Sequence, residues 1–159
     1  MKVADFCLVH VKAGNRGASW DIVQESPTTT VIDGNWGFGF VVTERAMAYT
    51  IEKAKTSNVA AATVFRQSHI GRLATYPLMA IEEGMIGLIT ADSGRSPKIV
   101  APYGGREARL GTNPISIAVP SNLESPLYLD MATSSVSNGK VAVAAARGEQ
   151  IPEGWGIDA

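Results

Sequence analysis

The chain has 159 residues, 45% of them hydrophobic and 18% charged, enough for one moderate core, since domains of about 150 residues are common. Its 14 Lys and Arg against 15 Asp and Glu leave a formal charge of −1, which excludes a polybasic nucleic-acid binder on bulk charge. No apolar stretch approaches the roughly 18 uninterrupted residues of a membrane span, and no secretory leader pattern opens the chain, so a cytoplasmic protein with no membrane partner is expected.

Residues 1–20 begin with the apolar VADFCLVHVKAG and dissolve into NRGAS, reading as the remnant of a preceding helical or linker segment. Cys7 is the only cysteine, so an intrachain disulfide is impossible. Neither His10 nor His69 lies in a metal-ligand spacing, and no metal is expected. Gly34, Gly37 and Gly39 then crowd around Trp36 and Phe38, which suits a tight turn whose backbone comes close to another part of the chain or to a ligand. Thr43 can cap a helix whose Ala46, Met47, Thr50, Ile51 and Ala54 share one face, with Asn58 as its stop.

VAAATVF, residues 59–65, predicts a strand covered on both faces. A second helix is expected over about 72–83, with Leu73, Tyr76, Met79 and Ala80 on one face and Gly84 in the left-handed position beyond it. Pro77 demands either a kink or a regular start near Thr75. MIGLITA, residues 85–91, is the next buried-strand candidate, followed by strands at 115–120 and 126–132. Residues 138–147 predict a small helix capped by Ser137 and stopped by Gly148, and Trp155 anchors a closing turn. Strands alternating with covering helices predict an α/β fold with a mixed, partly parallel sheet.

His69 is the leading chemical candidate, because it follows a predicted strand and open α/β sheets bind ligands at the carboxyl ends of their strands. A neutral imidazole there can take a proton from an alcohol and return it; the alternative is a structural histidine bonded to a backbone carbonyl. Arg66 and Arg72 flank it, either able to hold a carboxylate or phosphate. Ser68 beside His69 lacks the G-x-S-x-G elbow of a serine hydrolase. ADSGRSP (91–97) and PYGGREARLGTNP (102–114) offer close backbone approach to an anion, or simply tight turns. In DMATSSVSNGK (130–140) hydroxyls and Met131 can bracket ribose, diphosphate and a flat ring, or merely connect a strand to a helix. Neither a Walker loop nor the G-x-G-x-x-G fingerprint is present, which disfavours an ordinary Rossmann fold.

Taken together, ESPTTTVIDGNWGFG, QSHIGRLATY, GMIGL, APYGGREARLGTNPI, LDMATSSVSNGKV and GEQIPEGWGID resemble the non-Rossmann malate/L-lactate dehydrogenase family, and the HIGRL form looks closest to its hydroxycarboxylate dehydrogenase branch. The resemblance implies an unusual NAD(P)-binding α/β domain, a 2-hydroxy or 2-oxo acid substrate, NAD or NADP as cofactor, and a homodimer. It maps proton transfer onto His69 and cofactor contacts onto Ser93, Thr112, Asn113, Asp130, Met131 and Ala132. It implies that residues 21–159 are a partial NAD(P)-binding and catalytic domain truncated at its C-terminus. The chain then acts as a fragment of a longer enzyme, or as an inactive nucleotide-binding or structural fragment. The family's carboxylate-binding arginine and second histidine belong to a Ser-His-Gly stretch absent here. Asp92 stands where the family commonly carries Asn, and an inward-pointing carboxylate there would repel phosphates.

Overall fold

The computed structural model describes residues 19–92 and 98–156. The N-terminal segment through residue 18, with Cys7 and His10, and the Ser93 loop lie outside the described residues. β1 (Asp21–Glu25) and β2 (Thr29–Gly37) form an antiparallel hairpin. Ser26 closes its turn by accepting the Thr29 N–H on its hydroxyl, 2.9 Å, and donating its own N–H to the Thr29 carbonyl, 2.9 Å. α1 (Gly39–Ser57) then spans 19 residues, the kind of long crossover that a parallel pairing requires. It returns the chain so that β3 (Ala61–Gln67) lies parallel to β2. The result is a three-stranded mixed sheet in the order β1-β2-β3.

α2 (Thr75–Glu82) leads into a second sheet, an antiparallel meander of β4 (Gly87–Thr90), β5 (Ile115–Val119) and β6 (Leu127–Met131). α3 (Asn138–Arg147) follows. The mixed α/β character is as expected, but the strands divide between two sheets, only one of which has a parallel pair. No helix is described between β4 and β5 or between β5 and β6, and such connections give antiparallel neighbours.

The core forms where α1 and α2 pack together, around Val42, Ala46, Ile51, Leu73, Tyr76 and Ala80, with Ile32 of β2 beneath. α2 also sits on β4 and β5, burying Ser116 and Ala118 completely. Gly87 makes that contact possible, because a Cβ there would lie 2.6 Å from Pro77 Cα. The opposite face of the second sheet aligns Leu88, Ile117 and Leu129 across its strands. Leu88, Leu127, Leu129 and Met131 are exposed there.

Several local expectations are met. Asn58 and Gly148 take the left-handed conformation that ends α1 and α3, and Gly84 has φ +71 beyond α2. α2 begins at Thr75 rather than near 72. Pro77 therefore falls in its first turn, where a missing N–H costs nothing because no carbonyl lies four residues back in the helix.

Other expectations are corrected. Thr43 is not the cap of α1 but lies inside that helix, buried, since FVV continues the helical turn back to Gly39. The 59–65 run becomes β3 two residues later, and it is not covered on both faces: Ala61, Thr63 and Phe65 are exposed. β3 is an edge strand of its sheet, and α1 covers one side. β4 is likewise shorter and less buried than MIGLITA suggests. No described helix is long and apolar enough to cross a membrane.

Candidate active site

His69 stands two residues beyond β3, exposed, with its ring edge-on to Phe40 at 5.8 Å between centroids and 78° between planes. The loop that carries it is held from several sides. The Ser68 hydroxyl donates to the Gly37 carbonyl, 2.9 Å, and accepts the Gly39 N–H, 2.9 Å, while the Ser68 N–H donates to the same carbonyl. Gly39 is the first residue of α1, so Ser68 caps a helix that has no side-chain cap of its own. One residue back, Gln67 accepts the Thr43 hydroxyl on Oε1, 2.9 Å. The glycine-rich turn does approach another backbone closely: a Cβ on Gly39 would lie 2.2 Å from the Ser68 carbonyl oxygen and 2.5 Å from that of His69.

Ser68 is thereby unsuited to nucleophilic hydrolysis, because its proton is directed at Gly37 rather than at the His69 ring. Arg66 is also committed. Its Nε donates to Asp33 Oδ1 at 2.9 Å and its second nitrogen to Oδ2, a bidentate pair of the kind that fixes orientation. Arg72 remains the better-placed cation. It is 56% exposed, donates to the Tyr128 hydroxyl at 2.7 Å and lies over that ring at 5.3 Å.

Of the residues matched to cofactor contact, Thr112, Asn113, Asp130, Met131 and Ala132 lie at one end of the second sheet. Thr112 and Asn113 precede β5, whose Ile115 pairs with Met131 at the end of β6. The Thr133 N–H donates to the Thr112 carbonyl, 3.2 Å, and the Thr133 hydroxyl to the Asn113 carbonyl, 3.0 Å. Asn113 itself has φ 41 and donates its side-chain amide to Gly111. Asp92, at the exit of β4, accepts the Gly111 N–H at 3.1 Å and pairs with Lys98 at 2.8 Å. Its carboxylate is thus partly neutralised while it shapes the turn before Thr112. The donors here already serve the protein: the Thr133 hydroxyl bonds the Asn113 carbonyl, the Asn113 amide bonds Gly111, and Arg72 bonds Tyr128.

Asp130 joins this end of the sheet to the His69 loop. Its Oδ2 accepts the Ala74 N–H at 2.9 Å and lies 4.0 Å from Arg72 Nε, so it binds the residue just before α2. Alternation along β6 places Asp130 and Met131 on opposite faces, and Asp130 shares its face with buried Ser116, its cross-strand partner. Ser134 and Ser135 line a separate cavity of about 360 Å³ with Ile99, Ile151 and Trp155, which His69, Thr112 and Asp130 do not reach. A larger groove of about 610 Å³ between α1 and α2, lined by Trp20, Tyr49 and Met79, likewise holds none of the predicted site residues. Phe40 and Tyr76, which support the His69 loop, are not among the predicted site residues. The glycines beside Phe40 carried the one available signal.

The Arg66 guanidinium holds the Asp33 carboxyl below the usual carboxylate range. Such a depressed group stabilises the fold above its unfolded value of about 3.9, and that stabilisation is lost as pH falls through the lower folded value. Asp33→Asn is therefore expected to lower the melting temperature at neutral pH and to reduce its decline below about pH 4. Melting curves across that range that run parallel for both proteins would contradict the assignment.

The mixed α/β frame is shared with solved dehydrogenases. The structure superposes on sulfolactate dehydrogenase from Methanocaldococcus jannaschii with a TM-score of 0.81 at 39% identity, covering 93% of this chain and 42% of that one. It superposes on a dehydrogenase from Sinorhizobium meliloti with a TM-score of 0.88 at 34% identity, covering 97% and 45%. The malate/L-lactate dehydrogenase family model matches residues 8–159, and the chain belongs to that family. In sequence it is 46% identical over 137 residues to malate dehydrogenase from Pyrococcus abyssi, covering 86% of this chain and 37% of that protein. The chain thus spans about two-fifths of the length of the relatives it matches.

Proposed function

We propose that the chain is the nicotinamide-binding part of a longer, cytoplasmic, homodimeric oxidoreductase that interconverts a 2-hydroxy acid and its 2-oxo acid with NAD or NADP. Residues 21–159 form its partial catalytic domain. His69 takes the proton from the substrate's C2 hydroxyl during oxidation and returns it to the C2 oxygen during reduction. A bound nicotinamide supplies or accepts the hydride at C2. Ser93, Thr112, Asn113, Asp130, Met131 and Ala132 contribute to holding and orienting the cofactor, with Arg72 as the adjacent cation for an anionic group.

The observation that carries this reading is the bond from Asp130 to Ala74. It ties the loop bearing the imidazole to the strand end near Thr112, Asn113, Met131 and Ala132. Holding two bound reactants in register lowers a barrier substantially, and this bond fixes the segment that carries His69 relative to the second sheet. Malate and sulfolactate, named for the relatives, are the first substrates to test.

The experiment is fluorescence titration with NADH and NADPH, followed by substrate-dependent absorbance change in the whole enzyme. Saturable binding of one nucleotide, with its oxidation on adding a 2-oxo acid, is expected. Binding without turnover across 2-oxo acids would instead leave a nucleotide-binding segment with no redox role.

A further inference from the structure

Tyr76 is the largest fully buried side chain in the described structure, 2% exposed, on the first turn of α2. Its hydroxyl does not serve its own helix: it donates to the Ile70 carbonyl, one residue past His69. A phenylalanine would fill the same apolar space, so packing alone explains the ring and leaves the oxygen to be accounted for. Burying a hydroxyl is costly unless it is bonded, and this one donates to the loop at Ile70 with the Thr43 hydroxyl of α1 as a second partner.

The loop's other restraints leave a gap that this bond fills. Ser68 is fixed to the start of α1 on one side, and Ala74 to Asp130 on the other. Between them Gly71 has φ +72 and presses on Phe40, where a Cβ would lie 2.2 Å from the ring. Phe40 is also the ring against His69. Fixing Ile70 therefore fixes the peptide that connects the imidazole to this contact. Burial pushes the Tyr76 phenol up to about 12, so it remains a donor throughout the neutral range.

Resting on His69 as the proton-transfer group, we propose that Tyr76 is a positioning residue for the reaction: its buried hydroxyl, by holding the Ile70 carbonyl, sets where the His69 imidazole stands. It touches no reacting atom in this role. Its effect belongs on the chemical step rather than on cofactor affinity, because the cofactor-matched residues lie on other elements.

The test is Tyr76→Phe. In this chain, NMR is expected to show a weakened His69–Phe40 ring contact, with the fold retained. In the whole enzyme, kcat is expected to fall about tenfold to a hundredfold, as for a small misplacement of a reacting group, with KM for the nicotinamide nearly unchanged. An unaltered ring contact together with unaltered kcat would overturn the proposal. Should Tyr76→Phe fail to fold, 4-fluorophenylalanine at position 76 occupies the oxygen's place without donating, and the same readouts apply. His69→Ala with undiminished turnover would remove the proton-transfer reading alone, since the NMR contact still reports whether Tyr76 holds the loop.

Discussion

His69→Ala in the whole enzyme is expected to reduce turnover by about two to four orders of magnitude, the usual worth of a positioned general acid–base group. That corresponds to about 3–5 kcal/mol of transition-state stabilisation. Nicotinamide affinity is expected to change little, because removing an exposed ring leaves the turns around Thr112 and Asp130 intact. The loop keeps its fastenings at Ser68, Ile70 and Ala74 after the substitution. Parallel measurement of kcat and of nucleotide dissociation separates the two quantities. Equal turnover in variant and wild type would reject the role.

The features of this fold that could be read from sequence are those determined by a few neighbouring residues. The left-handed stops at Asn58, Gly84 and Gly148 depend only on local backbone geometry, and all three were legible. β5 and β6 fall within one residue of their expected ends because Pro120 and Pro126 bound them. β1 and β2 were not predicted, since TTVIDGNWG mixes glycine and asparagine into the strand and reads as a turn. The two apolar runs identified β3 and β4 as strands but overstated their burial. An apolar run reports that both faces tolerate an apolar neighbour, not which face receives one.

The site divides along the same line. That His69 follows a strand was visible from order alone. What holds it was not, because the bonds are long-range: Ser68 reaches 29 residues back to Gly39, and Asp130 reaches 56 residues back to Ala74. Asp130 was picked out for a cofactor role, and its carboxylate is already engaged on the loop before α2. It therefore acts first as a structural link, and any cofactor contact it makes is transmitted directly to the segment carrying His69. Arg66 and Arg72 looked equivalent in sequence, each three residues from His69. What distinguishes them is geometry: Arg66 is clamped by Asp33 in a bidentate pair, whereas Arg72 stands 4.0 Å from Asp130 and bonds the Tyr128 hydroxyl.

Gly39→Ala is expected to be the most damaging single methyl in this part of the chain, costing more than the about 1–3 kcal/mol of ordinary overpacking. The added Cβ would sit 2.2 Å from the Ser68 carbonyl oxygen and 2.5 Å from that of His69. Both obstacles are backbone, so no rotamer change relieves them. Either α1 moves away from the loop, breaking the Gly39 to Ser68 cap, or the loop moves and takes the imidazole with it. Gly84→Ala is the control. That residue has φ +71 with nothing near its Cβ position, so its cost is the backbone strain of about 1–2 kcal/mol alone. Chemical denaturation of both variants is expected to give a clearly larger loss for Gly39→Ala. Among molecules still folded, kcat is expected to fall for Gly39→Ala and to hold for Gly84→Ala. Equal losses of stability would mean that the start of α1 does not press on the His69 loop, and the support assigned to that loop would fail with it.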